Sequence, residues 1–156
     1  MSKSREEIIV EMQQKAAELV KTCSANNVVG PKGEPKRAAV EEYLSYFNEE
    51  INEYFKSKEV SVDLLLDTVY IMQVLASCRM YYDHNGEKAR EILLSSKKLA
   101  EQYVLNKSAV PFDFNSSPAE VLEALRVAKD LPEMYTGIIY LLGRTYMYQG
   151  MVVSFV

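Results

Sequence analysis

The sequence predicts a single all-α domain spanning 1-156, with five to six helices arranged as antiparallel hairpins in a bundle or a short stack. Three observations carry that expectation. Apolar residues recur at three- and four-residue steps in six segments, and none shows the sustained alternation a strand requires. The segments are separated by short stretches rich in Gly, Pro, Asp and Asn, which interrupt helices and favour turns. A chain of 156 residues with net charge -4 is long enough for one core, expected to bury roughly 70 % of the surface its unfolded form exposes.

The first helix is expected from about Ser4 to Cys23. Ser4 and Glu7 form an S-x-x-E capping box, and Ile8, Met12, Ala16, Leu19 and Val20 fall on one side. The following stretch holds two Gly and two Pro between Ser24 and Lys36, a composition that ends a helix. It predicts a flexible loop over 25-36, which makes 1-24 a detachable N-terminal helix. The second segment starts near Pro35, a residue suited to a helix's first turn. Its Val40, Leu44, Phe47, Ile51 and Tyr54 step by four and three, a stripe of about two heptads expected to face the core. Glu41, Glu42, Glu49, Glu50 and Glu53 form its solvated side.

Ser61 is the expected N-cap of a third helix, LLLDTVYIMQVLASCRMYY, which is apolar nearly all round and therefore belongs in the middle of the fold. The turn Asp83 to Gly86 ends it and forces the fourth helix back antiparallel, with Ala89, Ile92, Leu93, Ser96, Leu99, Ala100 and Tyr103 facing inward. An irregular stretch after Asn106 keeps Phe112 and Phe114, which are expected to pin it to the body. A short fifth helix to about Lys129 begins with Ser117 as N-cap, Pro118 at the first helical position and Glu120 closing a capping box. Asp130-Leu131-Pro132 opens the sixth segment.

Composition excludes several functions. Basic and acidic residues divide evenly, nine and eleven up to Val60 and the same after it, so no basic patch marks a nucleic-acid partner. His84 is the sole histidine and lies in a turn, which removes paired-histidine metal sites and predicts an exposed turn residue. No Glu-x-x-His motif accompanies the carboxylates, so neither a di-metal bundle nor any other metal site is expected. Gly30 and Gly33 lack phosphate-loop spacing, and no cofactor is expected. Cys23 and Cys78 form no C-x-x-C pair, and Cys78 lies in the most apolar helix, where a buried structural thiol is expected. No base, nucleophile and orienting group stand together, so catalysis is not expected. The charged, amphipathic N-terminus is unlike a signal peptide, and unpaired cysteines fit a cytoplasmic protein.

The last stretch is different in character. From Met134 to Val156 a single charge, Arg144, interrupts MYTGIIYLLGRTYMYQGMVVSFV. So much apolar surface must be covered by the chain's own core, a partner or a membrane. A bilayer span is disfavoured by Arg144 near its middle, which costs roughly 2.5 to 3.5 kcal/mol on insertion scales, and by Thr145, Gln149 and three Gly. The tyrosines of this segment and of the second and third suit a protein partner, because Tyr offers large contact area at small entropy cost.

Within that segment Ile139, Leu142, Gly143, Tyr146 and Gly150 stand at the spacing of the first helix of a tetratricopeptide repeat, which the segment resembles. Val121, Leu125 and Ala128 resemble the inward positions of a preceding second helix. Segments three and four resemble a similar pair through Ala76, Ala89 and Leu93, with Ser77 where the family has Gly. The resemblance implies a stack of antiparallel helix pairs whose concave face holds a peptide or helix of another protein.

The sequence thus points to a non-catalytic protein-interaction or assembly module. The expected contact residues are Ile138, Leu141, Leu142, Tyr146, Met147 and Tyr148, for a helical partner or for self-association as a dimer. The alternative is a small hydrophobic-ligand binder, with a pocket between segments three and six lined by Tyr70, Met72, Tyr140 and Met147.

Overall fold

The computed structural model describes residues 3-23, 28, 31-57, 60-107, 119 and 131-154, with backbone alone at 31, 107 and 148-154. Among these residues there are six α-helices, one 3-10 turn and no strand. Helix α1 (Arg5–Thr22) begins where Ser4 caps it, the hydroxyl accepting from the Glu7 N–H at 3.2 Å. Glu6 and Glu7 in its first turn and Lys21 in its last complement the helix dipole. Its core residues are Ile9, Met12, Ala16 and Leu19, while Ile8 and Val20 are half-buried at the edges of that stripe.

Pro31–Gly33 form the 3-10 turn, and α2 (Glu34–Tyr46) follows at once with Pro35 in its first turn. Residues 34-36, expected in the loop, are therefore helical. The second expected helix is two, because the chain breaks at Phe47 before α3 (Asn48–Tyr54). Phe47 leaves helical geometry with φ -98° and ψ 9°, and its buried ring meets Tyr43 and Tyr46 edge-on at 5.2 and 4.6 Å. The stripe survives the break: Val40, Phe47, Ile51 and Tyr54 are buried and Leu44 half-buried.

Helix α4 (Val62–Tyr81) is capped by Ser61, which accepts from the Leu64 N–H at 3.3 Å. Eleven of its residues are buried, from Leu64 to Met80, so no single side of it faces water; this is the central helix. Its one deeply buried hydroxyl, Thr68, is paired with the Tyr43 phenol at 3.1 Å, and burial pushes Tyr43 up to about 12. At the following turn His84 is exposed and takes the left-handed conformation, φ 54°. Asn85 then caps α5 (Gly86–Lys107), its side chain accepting from the Lys88 N–H at 3.1 Å. Helix α6 (Leu131–Ser154) completes the set. Apart from Ala119, the fifth expected helix, with Ser117, Pro118 and Glu120, and the loop residues Phe112 and Phe114 lie outside the described residues.

Contacts between distant side chains give the layout. Gln13 reaches Ser61, and the Val28 carbonyl accepts from the Cys78 thiol at 3.6 Å, so α1 and α4 run parallel. Tyr43 meets Thr68 and Arg37 meets Asp83, so α2 runs against α4. Tyr135 donates to Glu101 at 2.9 Å, and Arg90 donates to Thr145 at 3.3 Å, so α6 runs against α5. Arg144 reaches Tyr81, and a Cβ on Gly137 would lie 3.6 Å from the Gln73 amide, so α6 is parallel to α4. The result is two layers: α1, α4 and α6 side by side in one direction, with α2 in the cleft between α1 and α4 and α5 in the cleft between α4 and α6.

Candidate functional site

Among the described residues, the last helix of this layout has helices on one side only. Along α6, Leu131, Ile138, Leu142 and Thr145 are buried, and Met134, Tyr135 and Leu141 pack at the margin of the core. At about 100° per residue these positions fill one arc of the helix. The opposite arc, roughly 160° wide, carries Tyr146, Ile139, Gly143, Met147, Tyr140 and Arg144, and nothing among the described residues covers it. Exposure there is large for apolar and aromatic side chains: Met147 65 %, Tyr140 62 %, Tyr146 56 %, Ile139 43 %. Isolated exposed hydrophobic residues are ordinary, but four on one helical face make a contiguous patch.

Each margin of the patch is held by an arginine. On the α4 side the Arg144 guanidinium lies between two phenols, donating through Nε to Tyr81 and through Nη1 to Tyr140, both at 3.2 Å. It also sits 5.8 Å from the centre of each ring. On the α5 side Arg90 stacks over Tyr146 at 3.8 Å while its Nε reaches Thr145. These contacts stiffen rings that would otherwise be mobile, and rigid Tyr and Arg side chains are the groups that dominate binding at interfaces.

At the centre lies Gly143. A Cβ added there would meet nothing within 4 Å. Glycine in a helix interior costs about 1 kcal/mol relative to alanine, and no packing inside the described chain requires it. The Leu-Gly-x-x-Tyr spacing suits a close helix crossing, but here its Gly143 and Tyr146 face outward.

The expected contact residues therefore separate. Tyr146 and Met147 lie on the open face; Leu141 is half-buried at its edge. Ile138 and Leu142 belong to the chain's own core, since Ile138 and Met147 are nine residues apart and so point in roughly opposite directions. The side chain of Tyr148 lies outside the described residues. Ile139, Tyr140 and Arg144, together with Tyr81 from α4, share this margin and face without being among the expected contact residues, Tyr140 having been expected in the alternative pocket; the available signal was the run of positions at 139, 143 and 147, about one turn apart.

The pocket expected from Tyr70, Met72, Tyr140 and Met147 is not one cavity. Tyr70 lines a groove of about 450 Å³ between α4 and α6, with Leu66, Gln73, Met134 and Gly137. Met72, some 200° further round the same helix, lines a separate hollow of about 300 Å³ with Leu44, Ile51, Ile92 and Leu99. Tyr140 and Met147 line neither.

A second polar cluster, at the other side of the α4 C-terminus, is closed. Arg37 is 5 % exposed and bridges Asp83 at 3.0 Å, the Cys78 sulfur at 3.2 Å, and Glu34. Arg79 pairs with Asp83 at 2.7 Å and with Glu41. Burial alone would raise the Asp83 carboxyl, but hydrogen bonds from Arg79 and Arg37 overcome it and hold the group below the usual carboxylate range. Burial pushes the Cys78 thiol up, against the pull of Arg37, which opposes nucleophile chemistry. Glu41, expected on a solvated face, thus lies at the rim of a partly buried network.

Among the described residues no group of three His, Cys, Asp or Glu side chains is placed to hold a metal ion, and no helix is long and apolar enough to cross a membrane. Compared with family models, curated proteins and solved structures, the chain matches none of them.

Proposed function

We propose that this protein is a non-catalytic interaction module whose α6 outer face receives a protein partner. One observation carries the reading: a helix already docked by one full apolar side presents a second side holding Ile139, Tyr140, Tyr146 and Met147. An amphipathic surface helix needs a single apolar stripe. A second stripe, with its tyrosines braced by arginines, is the composition of an interface core rather than of a solvated face.

The layout supports the same reading. Hairpin α4–α5 with α6 laid parallel to α4 is compatible with a stack of helical hairpins, and the tetratricopeptide-like spacing of Ile139, Leu142, Gly143, Tyr146 and Gly150 is taken up here as part of the proposal. In such a stack each new helix continues the core of the last, and α6 is where the described part of the stack stops. The two free, buried cysteines, Cys23 and Cys78, fit a cytoplasmic setting for this role.

The test is hydrogen exchange and sedimentation on the full chain with and without Met147→Glu and Ile139→Glu. A partner or second copy bound at this face slows exchange in α6 and loses binding in both variants, with unchanged melting temperature. Binding that maps to α1, α2 or α3 and ignores both substitutions overturns the proposal.

A further inference from the structure

The chemistry of the partner follows from Arg144, and the inference rests on the docking reading just given. Arg144 is exposed, and the groups acting on its guanidinium are the phenols of Tyr81 and Tyr140. No carboxylate pairs with it among the described residues, whereas Arg37 and Arg79 each have two. A guanidinium carries five donors, and two are committed to phenols that hold the planar fork in place. The remaining donors meet no acceptor among the described residues.

Position matters as much as charge. Arg144 follows Gly143 directly, at the edge of the strip formed by Ile139, Gly143 and Met147. A partner that lies along that strip and extends over Tyr140 to the α4 margin covers the guanidinium, and a desolvated cation without a carboxylate is strongly unfavourable. A purely apolar partner is therefore penalised; one that brings a carboxylate to the fork is rewarded with a charge-assisted hydrogen bond. A symmetric contact with a second copy centred on this face is also disfavoured, because it brings Arg144 toward its twin. The open space above Gly143 admits the backbone of a helix between Ile139 and Met147.

The geometry points to an acidic amphipathic helix of another protein as the occupant, its apolar side along Ile139, Gly143 and Met147 and one Asp or Glu on Arg144. The probe is a displayed library of helical peptides with Leu fixed at i, i+3, i+4 and i+7 and the remaining positions randomised, selected on the full chain. Peptides enriched on the natural protein carry Asp or Glu at one register position. Changing that acid to its amide weakens binding about tenfold, the scale of one charge-assisted hydrogen bond. On Arg144→Gln, acid and amide peptides bind alike, while Arg144→Lys keeps part of the preference. Thermal melting confirms that the exposed substitutions leave the fold intact.

Five results overturn the inference. Enriched peptides lost on Met147→Glu but indifferent to acid or amide leave the docking face standing and remove the acidic partner. An acid preference that survives Arg144→Gln assigns the carboxylate to another site. A concentration-dependent mass in sedimentation, abolished by Met147→Glu, places a second copy on the face instead. Peptides that bind equally to Met147→Glu, or no enrichment at all, remove both the partner and the docking reading.

Discussion

At the end of α4, Tyr82 lies beneath Arg37 at 5.0 Å and its neighbour Tyr81 lies beneath Arg144 at 5.8 Å. The two arginines share an aromatic contact and little else. Arg37 is enclosed by Glu34, Asp83 and the Cys78 sulfur, all from its own chain. Arg144 stands in water with two phenols. The difference teaches what each cluster is for. Arg37 and Arg79 tie α2 to the end of α4, so their charges are neutralised within the fold. Arg144 is braced but has no carboxylate partner among the described residues, at the margin of uncovered apolar surface.

The comparison is broken or sharpened first by stability. Arg37→Ala removes a buried side chain and leaves Asp83 with Arg79 alone, and is expected to cost about 1 to 3 kcal/mol, read from urea unfolding. Arg144→Ala is expected to leave the midpoint where it is. Equal losses would show that both clusters hold the fold together.

The two sides of α6 give the next effect. Leu142→Ala opens a cavity in the core and is expected to cost about 2 to 5 kcal/mol. Met147→Ala, five residues on and facing out, should stay within about 0.5 kcal/mol. A large loss at Met147 in thermal unfolding would mean that this face is covered within the isolated chain.

Acid separates the clusters again. Asp83 is held below its ordinary value in the fold, so the folded state favours its charged form. Its contribution is complete above the unfolded carboxylate range, near pH 4, and is lost as pH falls through the lower folded value. Unfolding midpoints measured from neutral to acid pH should therefore fall, and Asp83→Asn should flatten part of that slope. Arg144→Gln should not change it, because no carboxylate pairs with Arg144 among the described residues.

The smallest effect tests Gly143. With open space above it, Gly143→Ala is expected to stabilise the helix by about 0.5 to 1 kcal/mol, raising the melting temperature, while weakening any partner that approaches the backbone closely. Alanine that stabilises and leaves binding unchanged would move the contact away from the middle of the face.

Much of the helical plan was legible in the sequence. Ser4 and Ser61 cap the helices they were expected to cap, because a hydroxyl before an apolar-periodic run satisfies amide groups a helix start leaves free. The all-round apolar segment became α4 at the centre, and the turn through His84 and Asn85 reversed the chain as its short length requires. The break at Phe47 was not legible, since the buried positions keep step across it. Nor was the burial of Arg37: periodicity places residue 37 near an apolar stripe but says nothing of Asp83, distant in sequence, arriving to pair with it. The candidate site was half legible, with Tyr146 and Met147 on the open face and Ile138 and Leu142 inside.

By itself the amino-acid sequence determined the all-α class, the caps, the central helix and the presence of excess apolar surface at the end of the chain. These depend on local spacing and on what a helix start, a turn or a lone charge demands. The tertiary structure decided which way that surface points. From Met134 onward apolar residues lie nearly all round the helix, so Ile138 and Ile139 are equivalent candidates for the core. Contacts from other helices remove the equivalence: Glu101 on Tyr135, Arg90 on Thr145, and Tyr81 on Arg144 fix the rotation of α6. With that rotation Ile138 is buried, Ile139 is exposed, and Arg144 lies beside the face left open.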